Sequence, residues 1–159
     1  MRTIGTVLVI LLVSCVDSFA TSTPPPPSLE DRVRMADHIF VGTVRRVEVL
    51  DDNDAVVTTP PTPLLHGTRI RLTVTPSPSW IRTPLKVIPE SVTITYDIGK
   101  FILSLDNESQ HYLNKEMVFL LKGISFSPVV SLAFAEPIDA LLTIKAFLQQ
   151  KPIEKASPQ

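Results

Sequence analysis

Thr68-Arg69-Ile70-Arg71-Leu72-Thr73-Val74-Thr75 alternates without a break, with Ile70, Leu72 and Val74 on one side and Arg69, Arg71, Thr73 and Thr75 on the other. Side chains leave a strand on opposite faces with a period of two, so this octapeptide reads as a half-buried strand. Ser91 to Tyr96 repeats the pattern, with Val92, Ile94 and Tyr96 facing one way. Met117 to Leu121 is an apolar run closed by Lys122-Gly123, as in a strand buried on both faces, and Val129 to Ala135 alternates through Val130, Leu132 and Phe134. These give four strands, and His38 to Leu50 gives a fifth, long, β-branched and free of proline. Ile39 and Val41 share one parity, as do Val47 and Val49, while Phe40 and Val44 share the other. Gly42 and the doubled Arg45-Arg46 predict a kink or bulge that lets this strand curve.

Between the strands, proline punctuates. Pro76-Ser77-Pro78-Ser79 reads as the stop of the second strand, with Trp80-Ile81-Arg82 a short separate segment. Asp51 to Gly67 reads as a loop, and Phe101 to Asn114 as a loop or a short helix. Ser28-Leu29-Glu30-Asp31 has the form of a capping box and predicts a helix over 29–36. Asp139 is the expected cap of a second helix that carries Leu141, Ile144 and Leu148 at helical spacing, with Pro152 beyond its end. A helix, five strands and a helix suit a mainly β domain, a small antiparallel barrel or sandwich.

The chain has 159 residues, 15 Lys+Arg against 16 Asp+Glu, and one cysteine. That length holds one domain with short tails, and a balanced charge removes the footprint of a nucleic-acid binder. One cysteine rules out a disulfide scaffold, and with three scattered histidines it does not assemble a four-ligand zinc site. Met1-Arg2, the uncharged run Ile4 to Val13 and the small residues of Ser18-Phe19-Ala20 have the layout of a secretory leader. The apolar run is too short to span a bilayer comfortably. Cleavage between Ala20 and Thr21 leaves a mature chain without cysteine. Leu12-Val13-Ser14-Cys15 offers the alternative of a lipobox, with Cys15 lipidated. The expected organisation is a leader at 1–20, a proline-rich linker at 21–27 containing Pro24 to Pro27, a barrel domain at 28–151 and a polar tail at 152–159.

Ser28-Leu29-Glu30, Val33, Ala36-Asp37, Val41-Gly42 and Val44 resemble the opening of an uncharacterised bacterial exported family, and Leu85-Lys86 falls where that family has Leu-Lys-Gly, with Val87 in place of the glycine. Over 28–136 the pattern is similar to the OB-type barrel of the tissue-inhibitor-of-metalloproteinase and netrin-module superfamily. The resemblance implies a five-stranded OB-like antiparallel barrel with a short N-terminal and a C-terminal helix. In the animal inhibitors an N-terminal cysteine binds the protease zinc. The mature chain expected here has none, so the inhibitory residues do not carry over.

Other chemistry finds little footing. His38, His66 and His111 are scattered and read as surface or structural residues rather than ligands. Asp51-Asp52-Asn53-Asp54 starts like a calcium loop but lacks its sixth-position glycine and twelfth-position glutamate. There is no Gly-x-Ser-x-Gly, no glycine-rich phosphate cradle, and no obvious pairing among Glu90, Asp97 and Glu116. The strand face with Arg69, Arg71, Ser91, Thr93 and Thr95 lacks an aromatic platform for bases. If the first two strands pair as a hairpin, Arg45, Arg46, Arg69 and Arg71 cluster, and such like charges need an anion or a partner to offset them. The sequence therefore predicts an exported, non-catalytic binding or interaction module of the cell envelope, periplasmic or secreted and monomeric. It would need no cofactor or metal, have no transmembrane span after leader removal, and bind a protein or glycan rather than nucleic acid. The alternatives are a protease-inhibitor-like protein and a structural lipoprotein anchored through Cys15.

Overall fold

A computed structural model of the chain describes residues 25–64, 68–98 and 104–150. The elements run α1 (Leu29–Met35), β1 (His38–Leu50), β2 (Arg69–Arg82), β3 (Val92–Asp97), α2 (Leu105–Tyr112), β4 (Glu116–Lys122), β5 (Ser127–Pro128), β6 (Ala135–Pro137), a 3-10 turn (Ile138–Ala140) and α3 (Leu141–Gln149). The protein is mainly β. Among the described residues one antiparallel sheet is ordered β3-β2-β1-β4-β5, with β6 also on β4.

The alternation decides which face goes in. Cross-strand rows Val44–Val74–Val92, Val47–Leu72–Ile94 and Val49–Ile70–Tyr96 line the concave side. With Phe40, Met117, Phe119 and Leu121 they form the larger core. Burying each large apolar side chain contributes about 1.5–3 kcal/mol. The expected bulge falls at the doubled arginine: Val44 pairs with Val74 and Arg46 with Thr73, so Arg45 is the extra residue. Before it, Phe40 and Val44 point into the concave core, while Ile39 and Val41 point the other way; after it Val47 and Val49 take over the inward positions. On the convex side Ile39, Val118 and Leu120 meet Val33 and Ala36 of the α1 region and Ile144 of α3 in a second core. β4, covered on both sides, is accordingly apolar from Met117 to Leu121.

α1 begins as its capping box predicts. The Ser28 hydroxyl accepts from the Asp31 amide at 3.2 Å and donates to the Asp31 carboxylate at 2.7 Å. Within the ambiguous 101–114 stretch, of which 101–103 lie outside the described residues, α2 takes Leu105–Tyr112, with Ser104 accepting from the Asn107 amide at 3.1 Å as its cap.

Four expectations need correction. β2 does not stop at Pro76 but continues to Arg82. Pairing with β3 ends at Val74–Val92, and toward β1 the register slips between Gly42–Pro76 and Phe40–Trp80. Pro76 and Pro78 therefore stand at an edge and a bulge, where a missing N–H breaks no regular ladder. The expected strand over 129–135 is instead an excursion between β5 and β6. These strands use β4's free edge opposite Leu121–Lys122 and Met117–Phe119, so the sheet has six strands rather than five. The excursion turns at Leu132 (φ 64) and drives Phe134 into the concave core. Asp139 makes no cap bond; α3 is entered through the 3-10 turn, where the Leu141 amide donates to the Ile138 carbonyl. Finally, the sheet is not a closed barrel. It curls until β3 and β5 come within 8 Å between Cα atoms, but they do not pair. Phe134 fills the seam, 5.0 Å from the Tyr96 ring and 6.2 Å from Tyr112.

Candidate interaction surface

α1 and α3 cover the convex face over β1's first half and β4, which leaves the convex face of β1's second half, β2 and β3 bare. Its side chains are fixed by register. Arg46, Thr73 and Thr93 form one cross-strand row; Glu48, Arg71 and Thr95 the next; Arg69 and Asp97 pair beyond them. Neighbours in a row are about 4.8 Å apart and alternate rows about 6.8 Å. The result is a flat field of guanidinium and hydroxyl groups with Thr93, Thr95 and Asp97 exposed.

Of the four arginines expected to cluster, Arg46 and Arg71 meet across Glu48, while Arg69 stands at the far end of the ribbon and Arg45 on the bulge; most are matched from within the chain. Glu48 lies between two of them, 3.0 Å from Arg71 Nε and 3.5 Å from Arg46 Nη1. Arg69 is held by Asp54 at 2.8 Å and by the Asp51 carbonyl at 2.6 Å. Asp51 itself is locked by accepting from the amides of Asn53 and Ala55, so the acidic run is an anchor for the turn after β1. Arg46 keeps 69% of its side chain exposed, and Arg45, on the bulge, is exposed and has no ion pair among the described residues. The sequence reading missed Glu48. Glu48 shares the parity of Arg46, but only the register shows that it also faces Arg71.

Two buried polar groups lie elsewhere. His38 is fully buried; its Nδ1 meets the Thr83 hydroxyl at 3.0 Å and its Nε2 the Gly123 carbonyl at 3.1 Å, with Trp80 and Phe126 packed around the ring. Both ring nitrogens are thus occupied in bridging two segments. Beneath α2, the buried Glu108 carboxylate accepts the Tyr96 hydroxyl. Burial, reinforced by Tyr112 and then Glu108, pushes the Tyr96 phenol far above its ordinary value. Burial and Glu108 also raise Tyr112, against a hydrogen bond to Tyr96 that lowers it. These phenols hold α2 to β3. His111 is exposed and stacks edge-on to Tyr112 at 4.5 Å.

Cys15, Ala20, Thr21 and His66 lie outside the described residues. Among the described residues no three His, Cys, Asp or Glu side chains are grouped to hold a metal ion, and no helix is long and apolar enough to cross a membrane. No family model, no characterised protein and no solved structure matches the chain.

Proposed function

We propose that the chain is an exported, non-catalytic binding module of the cell envelope, periplasmic or secreted, built on an OB-like curled sheet related to the netrin-module superfamily. It grips an acidic protein or glycan partner through Arg45, Arg46 and the Thr73, Thr93 and Thr95 hydroxyls. The observation that carries this reading is the bare convex face: three strands wide, polar and ordered in register, beside a half of the same sheet that two helices cover. Glu48 and Asp54 neutralise the inner arginines, so the face stays folded without a ligand. Arg45 and the outer part of Arg46 retain charge for a partner. Their flexible reach suits rim contacts, which govern association rate and salt dependence more than tight affinity.

The test is direct titration of the leader-free chain with polyglutamate and with a uronate-containing polysaccharide. Wild type should bind at least one of them, more weakly as salt rises. The Arg45→Glu/Arg46→Glu variant should bind about tenfold or more weakly, since two reversed charges remove on the order of 1–2 kcal/mol. Both side chains are exposed, and an Arg45→Gln/Arg46→Gln variant, which sets no carboxylate beside Glu48, should bind more weakly at the wild-type melting temperature. Equal binding by either variant rejects this face. Mass spectrometry of the secreted chain should find Thr21 first; a diacylglyceryl Cys15 would replace simple secretion with anchoring.

A further inference from the structure

At the end of the sheet remote from the Arg69–Asp97 pair, β1 starts while β2 and β4 finish. Three groups brace the turn that follows β4. The Asp37 carboxylate accepts from the Gly123 amide at 2.8 Å, and His38 Nε2 holds the Gly123 carbonyl. Phe126, at φ 53, folds its ring back to 4.8 Å from His38 and 6.0 Å from Trp80. Gly123 takes φ 68, where a β-carbon would be strained. The backbone so fixed leaves Ile124 on the crest, 93% exposed, next to Lys122. A slack loop could turn an isoleucine inward; this one is pinned from below.

Two cations flank that crest: Lys122 precedes the turn, and Arg82 adjoins Thr83, which shares His38 with Gly123. Arg82, at the end of β2, rims two recesses. One of about 490 Å3 is shared with Arg34 and floored by Val33, Phe147 and Leu148; one of about 270 Å3 is shared with Asp37, Thr83 and Pro84. Among the described residues Arg82 and Lys122 make no ion pair, and Arg82 reaches only the Val33 carbonyl, at 3.5 Å. Glu30 and Arg34 pair with each other, and Asp37 is held by the Gly123 amide, so Arg82 and Lys122 are the cations here without an ion pair among the described residues.

We propose that this end of the molecule docks on an anionic lipid bilayer, with Ile124 entering the boundary between headgroups and acyl chains and Arg82 and Lys122 lying against the phosphates. A protruding apolar crest with flanking cations fits a fluid, deformable surface, which needs no matching pocket, and its charge complements anionic headgroups. Docking of one crest is weak and reversible. It would turn the opposite end of the sheet, with the Arg69–Asp97 pair, away from the membrane. The inference stands independently of the partner proposed for the convex face.

Co-sedimentation of the leader-free chain with vesicles decides it. Wild type should sediment with vesicles containing phosphatidylglycerol, not with phosphatidylcholine alone, and high salt should release it. Ile124→Ser and Lys122→Glu should each lower partitioning about tenfold. Leu142→Ser removes an aliphatic side chain that is 79% exposed, at the other end of α3, and should leave partitioning unchanged. All three positions are exposed, and unchanged melting temperatures check that the variants fold. Absence of binding to anionic vesicles overturns the proposal. So does equal partitioning of Ile124→Ser and wild type, and in that case binding to soluble polyphosphate would reassign the cations to an acidic polymer.

Discussion

Replacing Gly42 by alanine puts two opposed effects on the same atom. A glycine inside a strand costs about 0.5–1 kcal/mol relative to alanine, so on backbone entropy alone Gly42→Ala should stabilise the protein by that amount. The packing opposes it. A β-carbon at Gly42 would sit 2.7 Å from Val74 Cγ1, 3.1 Å from the Thr75 carbonyl oxygen and 3.2 Å from Phe40 Cε2. Carbon pairs prefer about 3.5–4.0 Å, so Val74 would have to retreat by most of an ångström. Val74 and Phe40 are fully buried, and the Thr75 oxygen belongs to the β1–β2 ribbon, so nothing yields cheaply. Overpacking of this kind costs about 1–3 kcal/mol; with three contacts under 3.4 Å in a rigid surround the cost lies in the upper half of that range, leaving a net loss of about 1–2.5 kcal/mol. Urea unfolding should show a lower midpoint with an unchanged slope, and the melting temperature should fall by several degrees. Adding Val74→Ala deletes the methyl group that clashes, so the double variant should be less destabilised than the sum of the singles by about 1 kcal/mol. A Gly42→Ala midpoint at or above wild type would refute the close approach of β1 and β2 at this point.

Stability should also depend on alkaline pH. Tyr96 and Tyr112 keep their protons in the folded chain beyond the pH, near 10, at which unfolded tyrosines lose them, so their contribution is complete below about pH 10 and declines above it. The urea midpoint should stay level to about pH 9.5 and then drop, by up to about 1.4 kcal/mol per pH unit for each phenol. A Tyr96→Phe/Tyr112→Phe variant that kept the same slope would assign it to other groups. Ser104→Ala should cost about 1 kcal/mol by urea titration, because the Asn107 amide loses its cap; no loss would mean that solvent satisfies that amide as well. Phe134→Ala should cost about 3–5 kcal/mol by the same measurement, since it empties the seam between the edge strands; a cost near 1 kcal/mol would show that the sheet collapses to close it.

The regular parts of this fold are legible because period-two alternation and burial are the same fact seen twice. Ile70, Leu72 and Val74 face inward as their spacing requires, and the doubled arginine suggests a bulge that the register then fixes at Arg45. The prolines mislead because their effect depends on what lies beside the strand. Pro76 and Pro78 would end a central strand, yet β2 has lost its β3 neighbour by then. Val130, Leu132 and Phe134 mislead in another way: alternation cannot distinguish a strand from an excursion that drops one side chain, Phe134, into a core. Of the candidate surface, the arginines could be found from sequence and their partners could not. Glu48 and Asp54 act through register and through the turn after β1, and neither has a local signature.

Trp80 is the chain's one tryptophan. Its indole stacks on Phe40 at 4.3 Å, touches the edge of His38 at 5.7 Å and lies under Phe126, with its Nε1 sheltered and unbonded among the described residues. The molecule thus carries an intrinsic optical gauge at the root of the Ile124 crest. Lifting Phe126 would admit water to the indole and shift its emission to longer wavelength. Rigid seating of the crest on a vesicle would leave that colour almost unchanged, so a fluorimeter could tell, without any label, whether the crest works as a fixed peg or as a hinged flap.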